Sequence, residues 1–219
     1  MIRLALLVAR RELRVEWRTR VVLWQVIPFG VMSLLLCALA VGPDAATDRR
    51  LAPGLFYIVE MFLTLLVINR AEQRDGRKGT RTSSLTLGLD PAGLYLGRAL
   101  AMWVQLVAGS LPLLAAAAFL FHVHLGEVCA ALPLIGLTLA TLALAGVIYG
   151  ALVSGPQASG SLLPILALPA FAPVLIAGER GFSSLLSPAP LSRWVLLLGA
   201  TTVAYLALGV LLYGVVEES

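Results

Sequence analysis

Residues 128–153 read VCAALPLIGLTLATLALAGVIYGALV, 26 positions without one charged side chain. As a helix this run would extend roughly 39 Å, enough to cross a hydrocarbon core about 30 Å thick. Strands of soluble sheets seldom exceed about 10 residues. Strands of membrane barrels alternate lipid-facing and lumen-facing side chains, whereas this run is apolar without interruption. It reads as a transmembrane helix, and that fixes lipid as its solvent.

Working outward, comparable apolar runs occupy 21–41, 52–69, 99–121, 162–178 and 194–216. With 128–153 they make six spans. The composition agrees: 59% of the 219 residues are hydrophobic and 13% charged, against about a quarter charged in an ordinary soluble domain. Mean hydropathy is +0.93. Six crossings leave short loops and no room for a soluble catalytic domain. The expected fold is all-α, a polytopic bundle of six transmembrane helices forming one transmembrane domain over 1–219.

Twelve of the sixteen basic residues fall in two segments, Arg3 to Arg20 before the first span and Arg70 to Arg98 between the second and third. Six spans put both segments on one side, and the positive-inside rule makes that side cytoplasmic, with both termini. The expected location is therefore the cell (inner) membrane, multi-pass. Basic charge that flanks spans in this way addresses the lipid bilayer, and no nucleic-acid partner is expected. The N-terminus also carries Arg10-Arg11, an apolar run and Ala38-Leu39-Ala40, which together resemble a cleavable signal. The run exceeds a usual signal core and Glu12 and Glu16 interrupt the basic segment, so we expect it to be retained.

Residues 1–20 fit a cytoplasmic amphipathic helix at the membrane interface. Arg11, Arg14 and Arg18 share one face, Leu13, Trp17 and Trp24 fall close to another, and Glu16 and Arg20 are four apart. Positive-inside anchoring alone would produce the same pattern. The segment 70–98 is the one long polar stretch. Its first half holds Gly76 and Gly79 among charges and reads as an exposed turn. Its second half, Ser83 to Leu89, fits a short helix ending at Gly88. Arg74, Arg77, Lys78, Arg81, Leu85 and Leu87 are the candidate residues for docking a soluble partner. Span five carries Pro164, Pro169 and Pro173, each removing a helical hydrogen bond, so a kinked or partly unwound span covered by protein is expected. The apolar residues Phe182, Leu185, Leu186, Pro188 and Pro190 that follow suggest a loop dipping into the outer leaflet.

Catalytic chemistry is sparse. Asp75-Gly-Arg-Lys-Gly-Thr80 reverses the Gly-Lys order that a phosphate-binding loop needs and follows a membrane span rather than a strand. Gly-x-Ser-x-Gly, His-Glu-x-x-His and Cys-x-x-Cys-His are absent, and no enzyme activity, cofactor or metal is expected. Cys37 and Cys129 lie far apart, and Cys37 in an apolar run reads as a small hydrophobe. Glu60 is the carboxylate well inside a span, either a pathway or coupling residue or a hydrogen-bonded packing group. His122 and His124, with Glu127 beyond, mark the outer end of span three. They read as ordinary polar residues at a span end or as ligands, although i, i+2 spacing splits two ligands between helical faces.

Four landmarks taken in order resemble a known family. They are Arg10-Arg11-Glu12-Leu13-Arg14-Val15-Glu16-Trp17-Arg18 before span one and Leu51-Ala52-Pro53-Gly54 opening span two. Leu94-Tyr95-Leu96-Gly97-Arg98-Ala99-Leu100-Ala101-Met102-Trp103 enters span three, and the proline-rich stretch Leu162 to Ile176 is span five. Along its whole length the chain resembles cytochrome c maturation protein B, also called haem exporter protein B. The resemblance implies the membrane subunit of an ABC-type complex with a separate ATPase docking on its cytoplasmic face. It also implies a haem-handling membrane protein and a small single-span subunit as partners, with haem and ATP handled by those subunits. Two membrane halves for a paired ATPase suggest a homodimer. The implied work is haem export or the release of a haem-loaded chaperone. An ABC-2-type exporter of another cargo or a non-transporting scaffold would share the architecture. The chain departs from the family's usual pattern at Asn69, where a glutamate precedes the arginine, and in the basic Arg77-Lys78-Gly79-Thr80-Arg81.

Overall fold

The computed structural model describes residues 2–19, 22–42, 45–78, 90–153, 162–187 and 190–218. Among these residues seven α-helices follow one another: α1 (Ile2–Thr19), α2 (Ile27–Val41), α3 (Ala45–Lys78), α4 (Pro91–Leu120), α5 (Leu125–Val153), α6 (Leu162–Leu186) and α7 (Ser192–Glu218). A π-helical turn, Val22–Val26, leads into α2. Among the described residues there is no strand. Among the described residues six segments are long and apolar enough to cross a membrane: Trp24–Val41, Thr47–Gln73, Pro91–Leu120, Leu125–Val153, Pro164–Leu186 and Ser192–Tyr213. The chain is a polytopic membrane protein.

Local chemistry sets the helix ends. Asp90 caps α4, its carboxylate accepting from the Ala92 N–H at 3.3 Å, and Pro91 takes the first helical position, where a missing N–H is harmless. At the other end of α4, His122 adopts φ +55°, and the Val123 N–H reaches back to the Ala118 carbonyl. That is the left-handed C-terminal turn usually given to glycine. Glu127 then turns back to accept from the His124 N–H at 3.2 Å, half of a capping box opening α5.

The uncharged run that decides the fold, α5, is the central helix. It packs against α3, α4, α6 and α7 and buries Leu139, Leu142, Ala143 and Ala145. The outer helices α2 and α7 leave Phe29, Met32, Leu36, Leu196, Leu206 and Leu211 exposed, as lipid-facing surface requires. Helix α1 lies along the first turns of α4. Leu4 covers Gly93, and a Cβ at Gly97 would stand 2.7 Å from the Ala5 carbonyl oxygen. Small residues permit this approach of two backbones.

Two expectations about the segments between spans change. Residues 70–78 are not the start of a loop but the last turns of α3, supported by a 3.1 Å Gln73–Asn69 side-chain bond one turn apart. Arginine-rich turns can leave the bilayer as helix because their long side chains reach water. Residues 178–186 likewise do not form a loop dipping into the leaflet. They continue α6, with Phe182 buried and stacked edge-on against Phe56. The helix keeps the backbone satisfied at membrane depth, which an apolar loop would not. Of the two expectations for span five, kinked or partly unwound, the structure excludes unwinding, since α6 runs unbroken through Pro169 and Pro173. Pro164 falls in its first turn, where no N–H is required. Pro169 and Pro173 lie on the exposed face, opposite buried Ala167, Phe171, Val174 and Ala177.

Candidate functional site

Three polar regions stand out along the bundle axis. The first is at its core. Glu60 of α3 is 1% exposed, and its Oε2 has no hydrogen-bond partner among the described residues. One turn earlier Tyr57 is wedged between α5 and α6, where a Cβ at Gly178 would meet its ring at 2.8 Å. The Thr138 hydroxyl donates to the Leu134 carbonyl at 2.9 Å, so the Tyr57 hydroxyl is the donor in their 3.4 Å contact. Thr64 donates to the Glu60 carbonyl at 2.8 Å and leaves the Glu60 carboxyl untouched. A buried polar atom left unpaired in a helical bundle is uncommon and needs a reason, whether a function, strain or a bound water, and Asp48 Oδ1 presents a second case. Helical spacing puts Tyr57 beside Glu60 on α3, whereas no sequence signal tied Thr138 of α5 to this site.

The second region is a seam of aromatic and hydroxyl groups joining α4, α5, α6 and α7. The Tyr95 hydroxyl lies 2.9 Å from the Tyr205 carbonyl and 3.2 Å from that of Leu144, while Tyr205 donates to Ala170 at 3.0 Å. Arg98 donates to the Tyr213 hydroxyl at 2.6 Å. Thr141 and Thr202 meet at 2.6 Å, and the Trp103 indole donates to Gly136 at 2.9 Å. Each bond links two spans, which is how polar groups hold helices together where lipid removes the hydrophobic driving force.

The third region comprises the two ends. At the end holding the starts of α3 and α5, Arg49 pairs with Glu127. There a recess of about 630 Å³ is lined by Arg49, Arg50, Glu179, Arg180, Ser183 and Ser187. His122 and His124 are exposed nearby, and the turn and cap described above account for both positions. Among the described residues no group of three or more His, Cys, Asp or Glu is placed to hold a metal. At the opposite end, α1, the end of α3 and the start of α4 come together. A cavity of about 30 Å³, room for one water, lies between Glu12, Glu72, Arg98 and Gln105. Of the candidate docking residues, Arg74, Arg77 and Lys78 ride on the last turns of α3. Their side chains, and the whole of Arg81, Leu85 and Leu87, lie outside the described residues.

Six spans, lipid-facing outer helices and polar bonds gathered in the helix seams define a polytopic helical membrane protein. Residues 3–214 match the family described as CcmB protein, and the chain belongs to that family. The heme exporter protein B of Pseudomonas aeruginosa is 30% identical over 204 residues, covering 92% of this chain and 91% of that protein. The heme exporter protein B of Paracoccus denitrificans is 32% identical over 201 residues, covering 90% of this chain and 91% of its own length. That of Escherichia coli K12 is 29% identical, covering 87% of each chain.

Proposed function

We propose that this chain is the membrane subunit of an ABC-type complex for c-type cytochrome biogenesis, serving haem export or the release of a haem-loaded chaperone. The observation that carries the reading is the match over residues 3–214, nearly the whole chain, to a family whose relatives are named heme exporter protein B. The chain contributes no catalytic group and holds no cofactor of its own. Haem is the cargo or belongs to a haem-handling membrane partner and a small single-span subunit, and ATP belongs to a separate ATPase.

In this reading the protein lies in the inner membrane with both termini cytoplasmic, because the α1 and α3-end side carries twelve of the sixteen basic residues. The ATPase docks at the end where α1, the end of α3 and the start of α4 come together, with Arg74, Arg77, Lys78, Arg81, Leu85 and Leu87 as the contact set. Force arriving there passes along α3, a single helix of 34 residues that reaches from the docking end through Glu60 to Arg49. A paired ATPase calls for two copies of this chain. Co-purification with an ATPase subunit, together with loss of c-type cytochromes on deletion, is the expected result. ATPase association with normal c-type cytochromes would instead point to an exporter of another cargo, and no ATPase association at all to a scaffold.

A further inference from the structure

Between α1 and α4 runs an open groove of about 470 Å³, lined by Leu6, Ala9, Leu13 and Trp17 of α1, Leu100 and Val104 of α4, and the arginines Arg10 and Arg14. Its walls are apolar apart from the two guanidinium groups. We propose that this groove binds one anionic phospholipid, its phosphate held by Arg10 and Arg14 and the upper part of an acyl chain laid against Leu13, Leu100 and Val104.

Four observations support this occupant. Arg10 and Arg14 are one helical turn apart on the same face, so their side chains are neighbours and can close on a single phosphodiester. Both are exposed, and neither has an ion-pair or hydrogen-bond partner among the described residues. The acidic residues of α1 are directed elsewhere: Glu16 is buried, and Glu12 lines the small cavity on the bundle side. The groove is thus positive without internal compensation, complementary to a lipid phosphate. Finally, Trp17 lines the groove and is 80% exposed, an arrangement suited to the headgroup level of a bilayer, where indole rings concentrate. The volume falls within the range of about 300–1,000 Å³ occupied by small-molecule sites. A zwitterionic lipid would bring its own cation against the two arginines, and a free phosphate would leave the apolar walls wet.

The inference shares with the proposed function only the placement of α1 at the membrane surface. It is tested on the purified, delipidated full-length chain by native mass spectrometry during titration with phosphatidylglycerol, phosphatidylcholine or inorganic phosphate. One phosphatidylglycerol per chain should survive gentle activation, while the other two ligands leave no comparable adduct. R10Q/R14Q should lower the adduct about tenfold or more, since each charge-assisted bond contributes appreciably. L100W, which fills the groove and leaves both arginines in place, should lower it as much. R3Q/R18Q, which removes exposed arginines outside the groove, should leave it unchanged. An equal loss in R3Q/R18Q would show diffuse charge attraction and overturn the site, as would full binding in L100W or an equally strong phosphatidylcholine adduct. A lipid-independent dimer cross-linked through W17C would mean that a second copy fills the groove, and would also overturn it. Loss of lipid binding leaves c-type cytochrome production in a deletion strain as a separate readout, so failure here and failure of the proposed function are distinguishable.

Discussion

A carboxyl at 1% exposure with an unpaired oxygen weakens the bundle that holds it. Replacing Glu60 by leucine should raise the thermal midpoint in detergent, by the equivalent of about 1–3 kcal/mol, because an unsatisfied buried group disappears. The same variant should lose c-type cytochrome production in cells if Glu60 serves the transport cycle. A stabilised variant with full production would make Glu60 a packing residue only. Gly97 tests a different kind of contact. A methyl group there meets the Ala5 backbone, which cannot rotate away, so Gly97→Ala should destabilise by about 1–3 kcal/mol. Trypsin should then cut at Arg10-Arg11 faster than in the parent chain; unchanged cleavage would mean that α1 yields without detaching.

Single residues act through the helices that carry them, and the tyrosine seam shows how. Tyr95→Phe removes the hydroxyl shared by the Leu144 and Tyr205 carbonyls and should cost about 0.6–1.5 kcal/mol in a detergent unfolding series. No loss would mean that the Tyr95 hydroxyl adds nothing to the packing of its ring. The helices were legible in the sequence where the apolar runs were continuous, as in α2, α5 and α7. They were misread where charge or proline interrupted the pattern. Arg70 to Lys78 look like loop because charge usually marks water, yet a helix can carry arginines out of the bilayer. Phe182, Leu185 and Leu186 look like a re-entrant loop because they are apolar, lie beyond the span and lead to Pro188 and Pro190, yet they continue α6, whose Gly178 and Gly181 meet Tyr57 and Leu134. Glu60 could be singled out from its position in an apolar run. Tyr57 follows from its place one turn before Glu60 on the same helix, whereas its partner Thr138 could not be foreseen, because it comes from a span 81 residues away.

Across the whole molecule, charge is sorted by end. The α1 and α3-end side is basic, and the opposite side holds the Arg49–Glu127 pair and the arginine-lined recess. With native Cys37 and Cys129 replaced, a cysteine at exposed Ser187 should react with an impermeant maleimide from outside intact inner membranes. One at exposed Arg11 should react only after permeabilisation, and the reverse pattern would invert the proposed orientation. Reversing Arg77, Lys78 and Arg81 to glutamate should weaken ATPase co-purification several-fold, about 1 kcal/mol or more in all for rim charges, with membrane insertion intact. Unchanged co-purification would move the docking surface to α1. The central claim is that this bundle works in c-type cytochrome biogenesis, and it is tested most directly by haem staining of membranes from a deletion strain. Covalently haem-stained c-type cytochromes should vanish and return when the gene is restored, whereas a deletion strain with a normal c-type cytochrome complement would contradict the account.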